Sequence, residues 1–330
     1  MADAKFDVVG IGNALVDVLV HSDEAFLAGQ ALTKGAMTLI DNARAEALYA
    51  AMPPAVEISG GSAGNTIAGV ASLGGRAAYI GKVARDQLGG VFRHDIRAAG
   101  VSFEVPPADN GLGTGRCLIF VTPDAQRTMQ TFLGAGAELD PGDVDEDLIA
   151  ASAVTYMEGY LWDPPGAKQA FLKAAQIAHD AGRKVSISLS DPFCVERHRQ
   201  EFRDLVEHHV DILFANEAEI TSLYETTSFD EALRHVRGKV DLAALTRSEK
   251  GAVIVAGDAV HTVNAEPVAR VVDTTGAGDL YAAGFLYAYT RGLDAATCGR
   301  IGAIAASEVI AHFGARPEIS LAALLRDKLA

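Results

Sequence analysis

The run Asp273-Thr274-Thr275-Gly276-Ala277-Gly278-Asp279 combines a flexible glycine turn with a carboxylate at the start of a helical pattern. Residues 280–290 are apolar with helical character, so Gly276, Ala277 and Gly278 form that helix's first turn or the loop entering it. Amides at a helix start have no carbonyl partner, and the helix dipole adds positive potential, so the turn reads as an anion site. A carboxylate beside an anion site makes sense in group transfer. Asp279 would take a proton from a hydroxyl while the amides hold the charge on a migrating phosphoryl group. The plainer alternative is a tight turn with Asp279 as a cap or dipole partner.

Three other runs bear on the choice. Ser59-Gly60-Gly61-Ser62-Ala63-Gly64-Asn65-Thr66 opens a helix; its glycines allow close backbone approach to a ligand, and Asn65 offers both a donor and an acceptor to a sugar diol. It also fits a structural turn capped by Ser62. In Gly12-Asn13-Ala14-Leu15-Val16-Asp17, Asp17 could accept hydrogen bonds from two adjacent hydroxyls. This stretch lacks the third glycine of a dinucleotide-binding turn, and no Walker-type phosphate loop is found anywhere in the chain. In Asn216-Glu217-Ala218-Glu219, Asn216 and Glu219 share a helix face and could organise magnesium through water, or simply cap a solvent-facing turn.

The elements that must position these residues alternate. Strands are predicted over 6–12, 77–83, 153–157, 184–189, 211–215, 241–246 and 251–256. Helices are predicted over 63–73, 88–98, 167–181, from 216, over 277–290 and over 294–312, the last two closing the chain. This predicts an α/β fold with a mostly parallel sheet. Residues 14–40 and 105–133 break the alternation with β-like pieces and no helix. The second holds a hairpin-like connection, Thr122-Pro123-Asp124-Ala125-Gln126, and together the two read as a small β-rich lid.

At 330 residues, 49% hydrophobic and 22% charged, the chain has the makeup of a soluble protein with a substantial core. A net charge of −15 argues against nucleic acid or anionic membrane as a partner, though not against ATP. Cys117, Cys194 and Cys298 are too dispersed for a disulfide framework or a zinc site. No signal-peptide pattern and no apolar run of membrane-spanning length are present, so a cytoplasmic location is expected.

Together the runs resemble the ribokinase-like, or PfkB, family of carbohydrate and nucleoside kinases. The resemblance covers nearly the whole chain. It rests on Gly60-Gly61…Asn65, Asn216-x-x-Glu219 and the 273–279 run, in the family's order. It implies one ribokinase-like domain over 1–330, with helices on both faces of the sheet and a discontinuous lid formed by about 14–40 and 105–133. Within the family the chain is most similar to adenosine kinases of bacterial type. Gly12-Asn13-Ala14-Leu15-Val16-Asp17 resembles their Gly-Asn-Pro-Leu-Leu-Asp pattern, and Glu158-Gly159-Tyr160-Leu161-Trp162 sits where they carry an apolar element near the base.

The resemblance implies roles. Asp279 would be the base, with Gly276, Ala277 and Gly278 as the anion hole. Asn13, Asp17, Gly60, Gly61 and Asn65 would hold the ribose, and Arg127 would steady phosphate. Met129 and Thr131 would face the base; Tyr160 and Trp162 would offer it a flat surface or belong to the core. Thr246, Ser248 and Gly251 would form the ATP loop, with Asn216 and Glu219 toward Mg2+. Ser248 stands where the family often has glycine. K+ is a further implied cofactor, near Asp273, Thr275 and Gly314. The expected reaction is phosphoryl transfer from ATP to the 5′-hydroxyl of adenosine, a purine-salvage step. A sugar kinase is the alternative, and a non-catalytic nucleoside or sugar sensor the distant one. The expected partners are the small acceptor and ATP, with the chain a monomer or a lid-mediated homodimer.

Overall fold

The computed structural model describes residues 4–109, 111–124 and 126–329. Asn110 and Ala125, both inside the 105–133 stretch, lie outside the described residues, as do 1–3 and 330. In chain order the strands are β1 (Phe6–Ile11), β2 (Leu15–His21), β3 (Met37–Leu39), β4 (Val56–Ser59), β5 (Ala77–Ile80), β6 (Val101–Ser102) and β7 (Thr114–Val121). They continue with β8 (Arg127–Gly134), β9 (Ser152–Glu158), β10 (Lys184–Ser188), β11 (Ile212–Asn216), β12 (Leu242–Thr246), β13 (Ala252–Ala256) and β14 (Ala259–Val263).

Nine strands form the main sheet in the order β14-β13-β12-β11-β10-β9-β1-β5-β6. Pairing is parallel from β6 to β12 and antiparallel across β13 and β14. The central strands are near-continuous apolar runs because helices cover both faces. Tyr156, Phe214 and Phe285 pack edge to face where helix Ala277–Thr290 lies on the sheet. Trp162, Phe171 and Phe202 cluster under helices Pro165–Asp180 and Pro192–His208. The carboxyl ends of β9 to β12 bring Glu158, Ser188, Asn216 and Thr246 to one edge, where ligands gather in open α/β sheets.

The second sheet has the order β3-β8-β7-β2-β4. Side chains alternate between its faces. Val16, Val18, Val20, Leu118 and Phe120 join the main core, with Phe120 against Phe26 of helix Glu24–Gly29. Leu15, Leu19, Cys117, Ile119 and Val121 make a separate cluster on the opposite face.

Several elements differ from expectation. Helix Glu24–Gly29 falls inside 14–40; capped by Asp23, it is too short for periodicity to reveal. Strand β4 joins the second sheet from outside the predicted ranges. Helices Asn42–Ala51 and Pro192–His208 were not predicted, and Leu321–Leu329 follows the helix expected to end the chain. Among the described residues, no helix is long and apolar enough to cross a membrane.

Candidate active site

A cavity of about 1280 Å³ lies between the carboxyl edge of the main sheet and the inner face of the second sheet. Asn13, Asp17, Gly61, Asn65, Arg127, Met129, Thr131 and Tyr160 all line it. So do Asn216, Glu219, Thr246, Ser248, Gly251, Thr275 and the Gly276–Asp279 run. Gly60 and Asp273 stand behind the wall: a side chain at Gly60 would collide with the Asp17 carboxylate, so the glycine makes room for Asp17. Trp162 is also off the wall; it sits in the core and donates its Nε1–H to Glu201 at 2.8 Å.

Helix Ala277–Thr290 starts after Gly276, which adopts φ +78° and supplies no side-chain cap. The amides of Gly278 and Asp279, the helix's second and third residues, precede the first helical bond, from Leu280 N–H to the Gly276 carbonyl at 2.8 Å. Both residues line the cavity, and a Cβ at Gly278 would meet nothing within 4 Å. Asp279 is fixed from across the site. Its Oδ1 accepts from Ser62 Oγ at 2.6 Å and its Oδ2 from Asn65 Nδ2 at 2.9 Å. Burial raises its pKa above the usual carboxylate range, opposed by those two bonds and by the charges of Arg127 and Arg316. Ser62 is therefore not the helix cap: Gly61, at φ +81°, takes that position and frees the hydroxyl for Asp279.

Asp17 is pushed up to about 7, mainly by burial; Arg316 opposes this, and Asp279 and Glu158 add to it. Glu158, 1% exposed, accepts from Asn13 Nδ2 at 2.7 Å and Ala63 N–H at 2.8 Å. Burial pushes it to about 7 as well. Because the amide groups of Asn13 and Asn65 donate to carboxylates, their carbonyl oxygens point elsewhere. Both oxygens are buried without a partner among the described residues, and both residues line the cavity. Buried acceptors of this kind need donors, and ligand hydroxyls would supply them.

At the other end, Asn216 and Glu219 form a capping box. Glu219 N–H donates to Asn216 Oδ1 at 2.9 Å, while the Glu219 carboxylate accepts Asn216 N–H and Nδ2 at 2.9 and 2.6 Å. Glu219 is buried rather than solvent-facing, and burial pushes it to about 7. Ser248 holds φ +50°, so the backbone keeps the left-handed conformation that a glycine would favour there. Replacing it by glycine removes about 1–2 kcal/mol of left-handed strain. The same change adds roughly 0.4–1 kcal/mol of unfolded-state entropy. Ser248→Gly is therefore expected to raise denaturant stability slightly, by about 0–1.5 kcal/mol. Gly251→Ala is expected to destabilise by more than about 1–2 kcal/mol, because φ is +82° and the new methyl would collide with the Val263 carbonyl. Chemical denaturation of both variants checks the pair.

Three residues escaped the sequence reading. Glu158 is a single carboxylate ending an apolar strand. Arg316 lies in an irregular loop, donating to the Ser59 and Gly64 carbonyls. Phe193, 64% exposed, lines the cavity from the start of helix Pro192–His208, an apolar surface waiting for cover. The Asp191-Pro192 pair, a helix-start signal, could have revealed that helix.

A family model described as pfkB family carbohydrate kinase matches residues 37–321. The chain is similar to the crystal structure of adenosine kinase from Sinorhizobium meliloti. The two share 55% identity over 98% of this chain and 100% of that one, with a TM-score of 0.95. It is also similar to a probable sugar kinase from Rhizobium etli CFN 42, at 52% identity over 98% and 99% of the two chains, with a TM-score of 0.95. Adenosine kinase from Saccharomyces cerevisiae is 26% identical over 313 residues, covering 88% of this chain and 90% of that protein.

Proposed function

The chain belongs to the pfkB family of carbohydrate kinases, a phosphotransferase with an alcohol group as acceptor, and from that premise we propose that it phosphorylates the 5′-hydroxyl of adenosine with ATP. The observation that carries the reading is one cavity holding Asp279 at an uncapped helix start together with Asp17 and the two unpartnered carboxamide oxygens of Asn13 and Asn65.

Asp279 takes the hydroxyl proton as the acceptor oxygen bonds to the γ-phosphorus and the bond to the leaving ADP oxygen breaks. The amides of Gly278 and Asp279 stabilise the oxygens of the migrating group, while the Ala277 amide, expected in the anion hole, donates to the Thr274 carbonyl at 3.3 Å; Arg127 adds positive charge from the lid side. Asp17, Asn13 and Asn65 hold the ribose hydroxyls, with Gly61 on the cavity wall beside them and Gly60 leaving room for the Asp17 carboxylate. Thr246, Ser248 and Gly251 border the donor. Magnesium accompanies ATP in this family; here Asn216 and Glu219 would hold it through water, each Glu219 oxygen keeping a lone pair beyond its bond to Asn216. It would supply charge neutralisation on the triphosphate. K+ near Asp273 and Thr275 belongs to the proposal without a chemical step, since Asp273 already clasps Thr275 and Gly314.

Support for a nucleoside over a free sugar comes from the wall beside Asp17. Leu15, Cys117, Ile119 and Met129 make it apolar, with Tyr160 and Thr131 nearby. A purine face suits that surface, whereas sugar hydroxyls would lose hydrogen bonds against it. The similarity to a probable sugar kinase keeps ribose and fructose in the test. An acceptor panel with ATP and magnesium is expected to show adenosine consumed at low micromolar concentration. Preference for a free sugar, or ligand binding without ADP formation, would overturn the assignment.

We further propose that the second sheet works as a lid and that the chain is a cytoplasmic monomer. The sheet's outer face already packs against helices Glu24–Gly29 and Asn42–Ala51, so its apolar residues are not free to pair with a second copy. Light scattering in solution tests this; a stable dimer would contradict it.

Acceptor affinity should fall in acid. Asp17, held near 7, accepts hydroxyl hydrogens fully only when ionised. As pH drops through that value it gains a proton and loses acceptor capacity, so KM for adenosine is expected to rise between pH of about 8 and 6. A KM independent of pH across that range would mean that Asp17 does not change protonation there.

A further inference from the structure

We infer that Gly314-Ala315-Arg316 is a strut that sets the spacing between the two glycine turns of the site, with Arg316 as its positioning residue. The Arg316 guanidinium donates Nε–H to the Ser59 carbonyl at 2.9 Å, Nη1–H to the Gly64 carbonyl at 2.8 Å and Nη2–H to Ser59 Oγ at 3.2 Å. Its fork thus spans both ends of the turn that carries Ser62, and Gly64 precedes Asn65; Ser62 and Asn65 are the two residues that hold the Asp279 carboxylate. Two residues earlier, Gly314 N–H donates to Asp273 Oδ2 at 3.0 Å, and Asp273 Oδ1 accepts the amide and hydroxyl of Thr275 at 2.9 and 2.6 Å. Between them, Ala315 packs against Gly276 so closely that a Cβ there would lie 2.8 Å from the Ala315 Cβ. Two turns far apart in sequence meet on three consecutive residues.

Arg316 does not line the cavity, so it acts through other groups rather than on a ligand. Its charge still opposes the burial of both Asp17 and Asp279. Asp279 is faced by Arg127 from β8, Asp17 from β2 and Glu158 from the end of β9. Glu219 from helix Glu217–Leu223 and the phenols of Tyr156 and Tyr160 also face it. Carboxylates outnumber cations in this set, so removing Arg316 favours protonation of the base. A planar fork is required to reach two carbonyls at once; a lysine keeps the charge but not the geometry.

The inference rests on Asp279 being the proton acceptor, which Asp279→Asn tests separately. Arg316→Met and Arg316→Lys would be compared with wild type for kcat and KM as a function of pH, with circular dichroism for the fold. In Arg316→Met the acidic limb of kcat/KM is expected to move to higher pH, and kcat to fall about 10²-fold from misplacement of the base. In Arg316→Lys the limb should stay in place while kcat falls about tenfold, the worth of one charge-assisted hydrogen bond. A folded Met variant with wild-type kcat and an unmoved limb overturns the inference. If the Met variant does not fold, a Lys variant with wild-type kcat overturns it, and the tenfold fall supports it. An inactive Asp279→Asn run alongside assigns any failure to Arg316 and not to the base.

Discussion

Asp279→Asn lowers kcat by about 10²–10⁴-fold, the usual loss when a general base is removed. The expected loss is mainly in kcat, because the proton is transferred only as the transition state forms, with a smaller rise in KM as Asn65 turns its carboxamide oxygen from the ribose to residue 279. The fold should survive. An asparagine oxygen still accepts from Ser62 Oγ, and Asn65 can turn its carboxamide to offer an acceptor to the new amide. Burial disfavours the charged form of Asp279, so thermal stability is expected to be unchanged or higher in the variant. Steady-state kinetics together with a melting curve separate the cases: near-wild-type turnover in a folded variant would remove Asp279 from the chemistry.

Gly276→Ala is expected to be nearly as damaging, by another route. Gly276 adopts φ +78°, and its missing Cβ faces Ala315 at 2.8–3.0 Å. A methyl group there pushes the turn away from the 314–316 loop and redirects the amides that begin helix Ala277–Thr290. Misaligning one such donor typically costs about 10²–10³-fold in kcat. Gly278→Ala is the informative contrast. Its Cβ meets nothing within 4 Å and its backbone is helical, so the protein should fold normally, with the methyl added at a residue that lines the cavity. A Gly276→Ala variant with wild-type kcat would mean that this turn does not receive the transferring group.

Much of the site is legible in the sequence because its parts are local. The glycine turn and Asp279 lie within one helical start, and Asn65 follows Gly61 by one helical turn. Strand positions follow from the apolar runs of β1, β9 and β11, which are buried on both faces. What stays hidden is tertiary. Glu158 matters because Asn13 and Ala63 converge on it from two other loops, and nothing in its neighbours signals that. Arg316 works by bridging to Ser59 and Gly64, a pairing no sequence period encodes. Trp162, for which the sequence left open a flat surface for the base or a place in the core, fills the core. Ser248 shows a backbone that keeps its left-handed shape without the glycine expected there.

The most direct measurement is a crystal structure with adenosine and a non-hydrolysable ATP analogue bound together. We predict the 5′-oxygen within about 2.6–3.2 Å of an Asp279 carboxylate oxygen, the terminal phosphate over the Gly278 and Asp279 amides, and the ribose hydroxyls on Asp17, Asn13 and Asn65. A 5′-oxygen directed away from Asp279, or a nucleoside seated elsewhere in the cavity, would contradict the account.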